Sequence, residues 1–208
     1  AHVITQSQWL ENNNKKTSSK AKLLNKNNTQ EHGCRIKTRK RIIKQTTMNI
    51  FYLDKDPFKA AKYQYNKHVV KMILESAQML CAAHHVLGNP EDVPYKLAHK
   101  NHPSTIWVRE NSLHYDWLYE HMIALGLQYT YRYGKVHLSI TKCIKVLEKH
   151  PENIPHEPFE QPPQCMPDEY KDKCSVQAYW NYYIGEKHTV ANPKTEKIYD
   201  KRRTKETA

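Results

Sequence analysis

The residues from Lys67 to Gln78, KHVVKMILESAQ, put ionisable side chains and an apolar helix pattern into the same turns. At 3.6 residues per turn, His68, Lys71, Glu75 and Gln78 form one narrow polar stripe. Val69, Val70, Met72, Ile73, Leu74, Ala77, Met79 and Leu80 surround it, so most of the helix circumference is expected to be buried. Such a stripe is costly to bury unless it lines a cleft or pairs internally. Otherwise it is the solvent side of an amphipathic helix.

Two other stretches carry chemistry of a different kind. Tyr129 to His137 (YTYRYGKVH) and Tyr179 to Lys187 (YWNYYIGEK) each set several rings beside Arg or Lys at a helix end followed by Gly. Rings stack on bases, and cations and backbone N–H groups hold phosphates. Tyrosines at helical spacing also fill aromatic cores, so both roles are open from the sequence. A loop with Tyr95, His99, Asn101 and His102 adds polar groups that suit a phosphate. Thirteen histidines invite a metal. However, His84 and His85 are adjacent, and neither His99 with His102 nor His114 with His121 has a carboxylate at zinc-motif spacing, so no metal site is expected. No local signature of a Cys or Ser triad is present.

Helices must position these groups. Asp56 as N-cap and Pro57 as first helical residue start a helix expected to run to about Leu87 and stop at Gly88-Asn89-Pro90, with a kink or break near His84–His85. A second helical region begins at Ser104, re-initiates at Asn111-Ser112 and ends at Gly134. Ser139 caps a third helix to Lys149, stopped by Pro151. Six prolines between Pro151 and Pro167 make a loop or extended wrap, and Ser175 caps a last short helix ending at Gly185. Asn49 to Leu53 (NIFYL) is too short to be more than a strand or a buried N-terminal arm. The expected fold is all-α: one small helical domain over 48–190 with an extended N-terminal arm and a Pro-rich loop before a short C-terminal helix.

Length and composition fit one domain with unfolded flanks. The 208 residues are 38% hydrophobic, with a mean hydropathy of −0.88. Residues 1–47, rich in Asn, Lys, Gln, Thr and Ser, bury too little apolar surface to offset their ordering entropy and read as a disordered basic extension. They carry 11 Lys+Arg against 2 Asp+Glu, so most of the +12 net charge lies there and the folded part is only mildly basic. The cluster Arg35, Lys37, Arg39, Lys40, Arg41 and Lys44 suits nucleic acid or a localisation signal, or is simply a solvated basic run. Because the ordered pattern starts at Met48, residues 1–47 are expected to be an upstream extension, with the biological start at Met48. Residues 191–208 read as a flexible basic tail. Five widely spaced cysteines without a C-x-x-C pair argue for reduced thiols inside a cell. No apolar run reaches the ~18 to 20 residues of a membrane span, and no secretory signal core is seen.

Together, NIFYL, His68 with Glu75 seven residues later, and the closing W-N-Y-Y-I-G-E-K resemble the pyrimidine-dimer DNA glycosylases of the T-even phage endonuclease V type. Asn101-His102-Pro103 followed by Trp107 and Arg109 resembles a segment of bacterial members, and the order of motifs resembles uncharacterised marine-phage proteins. The resemblance covers Met48 to Lys187. It implies an all-α glycosylase and abasic-site lyase that needs no cofactor, acting as a monomer on double-stranded DNA inside a phage-infected cell. It assigns Glu75 as the catalytic carboxylate and His68 as its helical companion. His99, Asn101, His102, Arg109, Arg132, Lys135, His137, Trp180, Tyr182, Tyr183 and Lys187 become DNA-contacting candidates. The family uses the amine at the start of its mature chain to form a Schiff base, whereas here 47 residues precede Met48, and Asn49 is a large residue to follow a removable Met. Two amines remain open: that of Met48 or Asn49 after processing, or that of Lys71, one turn from Glu75. A non-catalytic helical nucleic-acid-binding protein would use the same surfaces. An all-α nucleotide hydrolase ranks last, because Glu75 stands alone where Mg²⁺ would need several carboxylates.

Overall fold

The chain enters its core through Met48 to Leu53, which are buried yet form no strand. The computed structural model describes residues 48–190, and the expectations for 1–47 and 191–208 lie outside the described residues. A buried segment without regular structure must find partners for its peptide groups. The Asn49 side chain supplies two, its Oδ1 accepting from Ile50 N at 2.8 Å and Phe51 N at 3.1 Å. Gln64 Nε2 donates to Ile50 O at 3.5 Å and Trp180 Nε1 to Leu53 O at 2.8 Å. Phe51 takes a φ of 53°, a conformation that costs a bulky residue roughly 1–3 kcal/mol. Its ring stacks on His68 at 4.4 Å between centroids and meets Tyr179 and Tyr183 edge-on, so aromatic burial offsets that cost.

Helix α1 (Pro57–Tyr63) begins as its sequence dictates, with Asp56 Oδ1 accepting from Phe58 N and Lys59 N. The single helix expected over 57–87 is two, because the chain breaks at Gln64–Tyr65 rather than near His84–His85. Both residues are extended, and α2 runs from Asn66 to Leu87. Tertiary partners take the backbone groups freed by the break. Tyr65 N donates to the Tyr183 hydroxyl at 2.7 Å, and Gln64 O accepts from Arg132 Nη1 at 2.7 Å. The Gln64 amide turns inward to His121 Nε2 at 3.0 Å. Burial pushes His121 down to about 4, so its ring is neutral: Nδ1 donates to Pro57 O at 2.9 Å and Nε2 accepts from Gln64.

Helices α3 (Pro103–Glu110) and α4 (Ser112–Tyr133) meet at the expected re-initiation, where Asn111 Oδ1 caps Leu113 N at 2.9 Å. Gly134, at φ 67°, ends α4. Helix α5 is shorter than expected, Leu138–Cys143, and its cap is His137 rather than Ser139. Turns continue beyond it, with the Ile144 and Leu147 carbonyls taken by the Tyr119 and Tyr115 hydroxyls of α4. Gly126 lets α4 and α5 close up, since a Cβ there would stand 2.8 Å from Ile140. Helix α6 (Ser175–Gly185) starts at Ser175 itself, and Gln161 Oε1 caps its N–H at 2.8 Å.

Packing centres on α2, which lies against α4, α3 and α5, while α1 lies on α4. The proline-rich stretch wraps the outside and is laced down by side chains. Trp107 Nε1 donates to Glu160 O, Asn111 Nδ2 to Glu157 O and Pro158 O, and Tyr179 Oη to Pro163 O. His114, held below the usual histidine value by burial, accepts from Glu160 N at 2.9 Å. Each bond satisfies a peptide group in a segment whose prolines rule out a ladder. The architecture is all-α among the described residues, with no strand. Cys81, Cys143, Cys165 and Cys174 are free thiols.

Candidate active site around Glu75

Glu75 projects from the middle of α2 into the seam between that helix and the N-terminal arm, its side chain 9% exposed. One oxygen, Oε2, accepts from the Asn49 backbone nitrogen at 3.3 Å, and the other, Oε1, pairs with Lys71 Nζ at 2.9 Å. A carboxylate removed from water needs such partners. The polar stripe therefore splits in two: His68 and Glu75 lie inside, Lys71 is about half exposed and Gln78 is partly covered. Val70 and Leu74, expected to be buried, are exposed instead, because the arm covers the Glu75 side of the helix and leaves theirs open.

Asn49 is the hinge of this arrangement. While its Oδ1 folds the next two peptides, its Nδ2 donates to Cys165 O at 2.9 Å, tying the arm to the end of the proline-rich wrap. Ser104 Oγ lies 3.4 Å from Cys165 Sγ and brings in the start of α3. Two turns below Glu75, His68 Nδ1 meets the Tyr183 hydroxyl at 2.8 Å and its ring carries Phe51. Arm, α2, α3 and α6 thus converge on a carboxylate with one nitrogen at each oxygen. Chemically this arrangement can hold a proton between oxygen and nitrogen and place negative charge beside a cationic carbon.

Several residues expected to meet DNA do other work. Tyr183 is fully buried, stacked on Tyr65 at 4.6 Å, and Tyr182 is buried beneath Lys187. Their rings are closed to bases because α6 packs against the arm. Trp180 packs on Tyr63 and donates to the arm. Arg132 is a staple, its guanidinium bonded to Gln64 O, Asn66 Oδ1, Lys62 O and Gln128 Oε1. Tyr182 and Tyr183 are thereby withdrawn from the surface, whereas Trp180 and Arg132 are only partly covered.

Others remain at the surface. His99 and Asn101 are exposed, and His102 caps α3 with its Nδ1, held below the usual histidine value by burial and by His99. Arg109 is partly covered and donates to Lys100 O at 2.6 Å. Lys135 is exposed, while His137 caps α5 and is pushed down by burial. Burial also pushes Lys187 down, but the Glu186 carboxylate and the Tyr182 ring beneath it outweigh that and hold it above the usual lysine value.

Sequence reasoning took Phe51 only as part of the NIFYL arm and weighed His121 only as a metal ligand, and it missed Gln64 and the Cys165 carbonyl, which belong to no spaced motif. Among the described residues no three His, Cys, Asp or Glu side chains gather as a metal site would require, and no helix is long and apolar enough to cross a membrane. No family model, no curated protein and no solved structure matches the chain.

Proposed function

We propose that this protein is a DNA glycosylase with abasic-site lyase activity, acting on duplex DNA with pyrimidine-dimer damage through an amine and Glu75. The observation that carries it is the pair of nitrogens on one buried carboxylate: Lys71 Nζ at 2.9 Å and Asn49 N at 3.3 Å. In the proposed reaction an amine attacks C1′ of the damaged nucleotide, and the bond to the base breaks as the base takes up a proton. The sugar ring opens to an iminium, which loses a C2′ proton as the C3′–O bond to phosphate breaks. Glu75 stabilises the cationic sugar and carries the protons. Lys71 is an amine of the chain as it stands, and its ammonium must first pass a proton to the carboxylate beside it. Asn49 N is a peptide nitrogen here and becomes an amine only after cleavage of the Met48–Asn49 bond. On the same proposal the partner is double-stranded DNA, bound by a monomer inside an infected cell.

Borohydride trapping on abasic duplex tests this, using chains that begin at Ala1, Met48 and Asn49. A covalent adduct lost in Lys71→Ala assigns the lysine. An adduct confined to the Asn49 chain assigns the α-amine, and no adduct in any chain sinks the lyase. Glu75→Gln is expected to lower nicking by about 100-fold or more while keeping DNA affinity. One observation favours a second function, a non-catalytic nucleic-acid-binding module: both carboxylate oxygens are already satisfied within the protein. That alternative predicts equal or tighter binding and no nicking in either protein.

A further inference from the structure

The exposed face of α2 carries an unusual sequence for a solvent surface. Lys67, Val70, Lys71, Leu74 and Gln78 follow one another at helical spacing, and Val70 and Leu74 are each 38% exposed. This stripe runs about 16 Å at 1.5 Å per residue and passes directly beside Glu75. Glu75 is the one carboxylate among the 22 residues of α2, and it is turned inward and paired. The face therefore presents cations and branched apolar groups with no anion of its own. Two apolar side chains are far too little for a protein partner, which needs about 800 Å² a side. Lysines spaced among apolar wedges suit a polyanion whose bases can be parted.

Resting on the glycosylase proposal, we infer that Leu74, supported by Val70, enters the DNA at the damaged step and holds the extruded nucleotide open beside Glu75, while Lys67 anchors the adjacent phosphates. Chemistry on a base or its sugar inside a duplex requires leaving the stack, and an apolar side chain in the vacated step opposes its return. Leu74 directly precedes Glu75 in the chain, so a side chain in the gap would fix the carboxylate's distance from the sugar.

The test uses the full chain and a duplex with a tetrahydrofuran abasic analogue next to 2-aminopurine, which reports unstacking without allowing Schiff-base chemistry. The wild-type protein is expected to brighten the probe. Leu74→Ala is expected to lose at least two-thirds of that signal, and Val70→Ala less, with affinity for undamaged duplex kept within about twofold. Leu113→Ala, an exposed leucine on α4, serves as control and should change nothing. Lys67→Ala should weaken all duplexes alike and reduce the salt slope by about one. Full brightening by Leu74→Ala overturns the inference, as does an equal loss of affinity for undamaged DNA. If the wild-type protein binds and nicks while Leu74→Ala behaves identically, only this inference falls. If the wild-type protein binds no duplex at all, the functional proposal falls with it.

Discussion

Helix α2 carries a buried histidine near each end, and each meets a tyrosine hydroxyl: His68 with Tyr183 at 2.8 Å and His84 with Tyr115 at 2.9 Å. The two pairs are alike in chemistry and differ in what they hold. Tyr115 passes on to Leu147 O at 3.0 Å, so the far pair ties α2 and α4 to the turns after α5. The near pair carries Phe51 and, through the arm, the nitrogen at Glu75. A buried polar pair by itself marks only a well-satisfied core. The functional candidate is set apart by the strained arm, the amine and the exposed apolar face gathered at the same end.

The largest expected effects separate the two ends by activity rather than stability. Phe51→Ala removes the ring that offsets its own backbone strain and should cost about 3–5 kcal/mol, while Leu147→Ala at the far end should cost about 2–5 kcal/mol. Urea unfolding measures both. On the proposed glycosylase function, nicking per folded molecule should fall only for Phe51→Ala, and equal loss in the two would erase the distinction.

Acid should act on the near end through His121. Burial pushes this group well below its unfolded value, so the unfolded chain takes up a proton first as pH falls. Its contribution is complete above pH ~6.5 and declines toward pH ~4, by about 3 kcal/mol in all. His121→Gln should start less stable and show a shallower slope in denaturant titrations across that window. An unchanged slope would remove His121 as the cause.

A smaller effect comes from the hydroxyls. Tyr183→Phe and Tyr115→Phe should each cost about 1–3 kcal/mol by stranding buried partners. Only Tyr183→Phe should also slow nicking, because it frees Tyr65 N and His68 next to the arm. The smallest concerns Tyr131, 71% exposed at the end of α4. Tyr131→Ala should change the thermal midpoint by less than the equivalent of about 0.5 kcal/mol. If it weakens DNA binding, the Tyr129–His137 stretch holds a stacking ring after all.

Much of the fold was legible in local sequence. Asp56-Pro57, the restart at Asn111 and the stop at Gly134 are short-range chemistry, and the structure follows them. The break at Gln64–Tyr65 was not, because no local breaker marks it. The chain opens there since Arg132, His121 and Tyr183, all distant in sequence, supply better partners than another helical turn. The two aromatic stretches show the same limit: nearly equal compositions, yet Tyr183 is sealed in the core while Tyr131 faces outward.

The sequence alone determined that this is an all-α chain and that Glu75 shares turns of α2 with His68 and Lys71, since helix periodicity and capping depend on neighbours within a few residues. Only the tertiary structure decided that the carboxylate turns inward to meet Asn49 N, and that Val70 and Leu74 stay outside. Which side of a helix is covered depends on where the arm returns, and that is fixed by contacts between residues 26 and 116 positions apart.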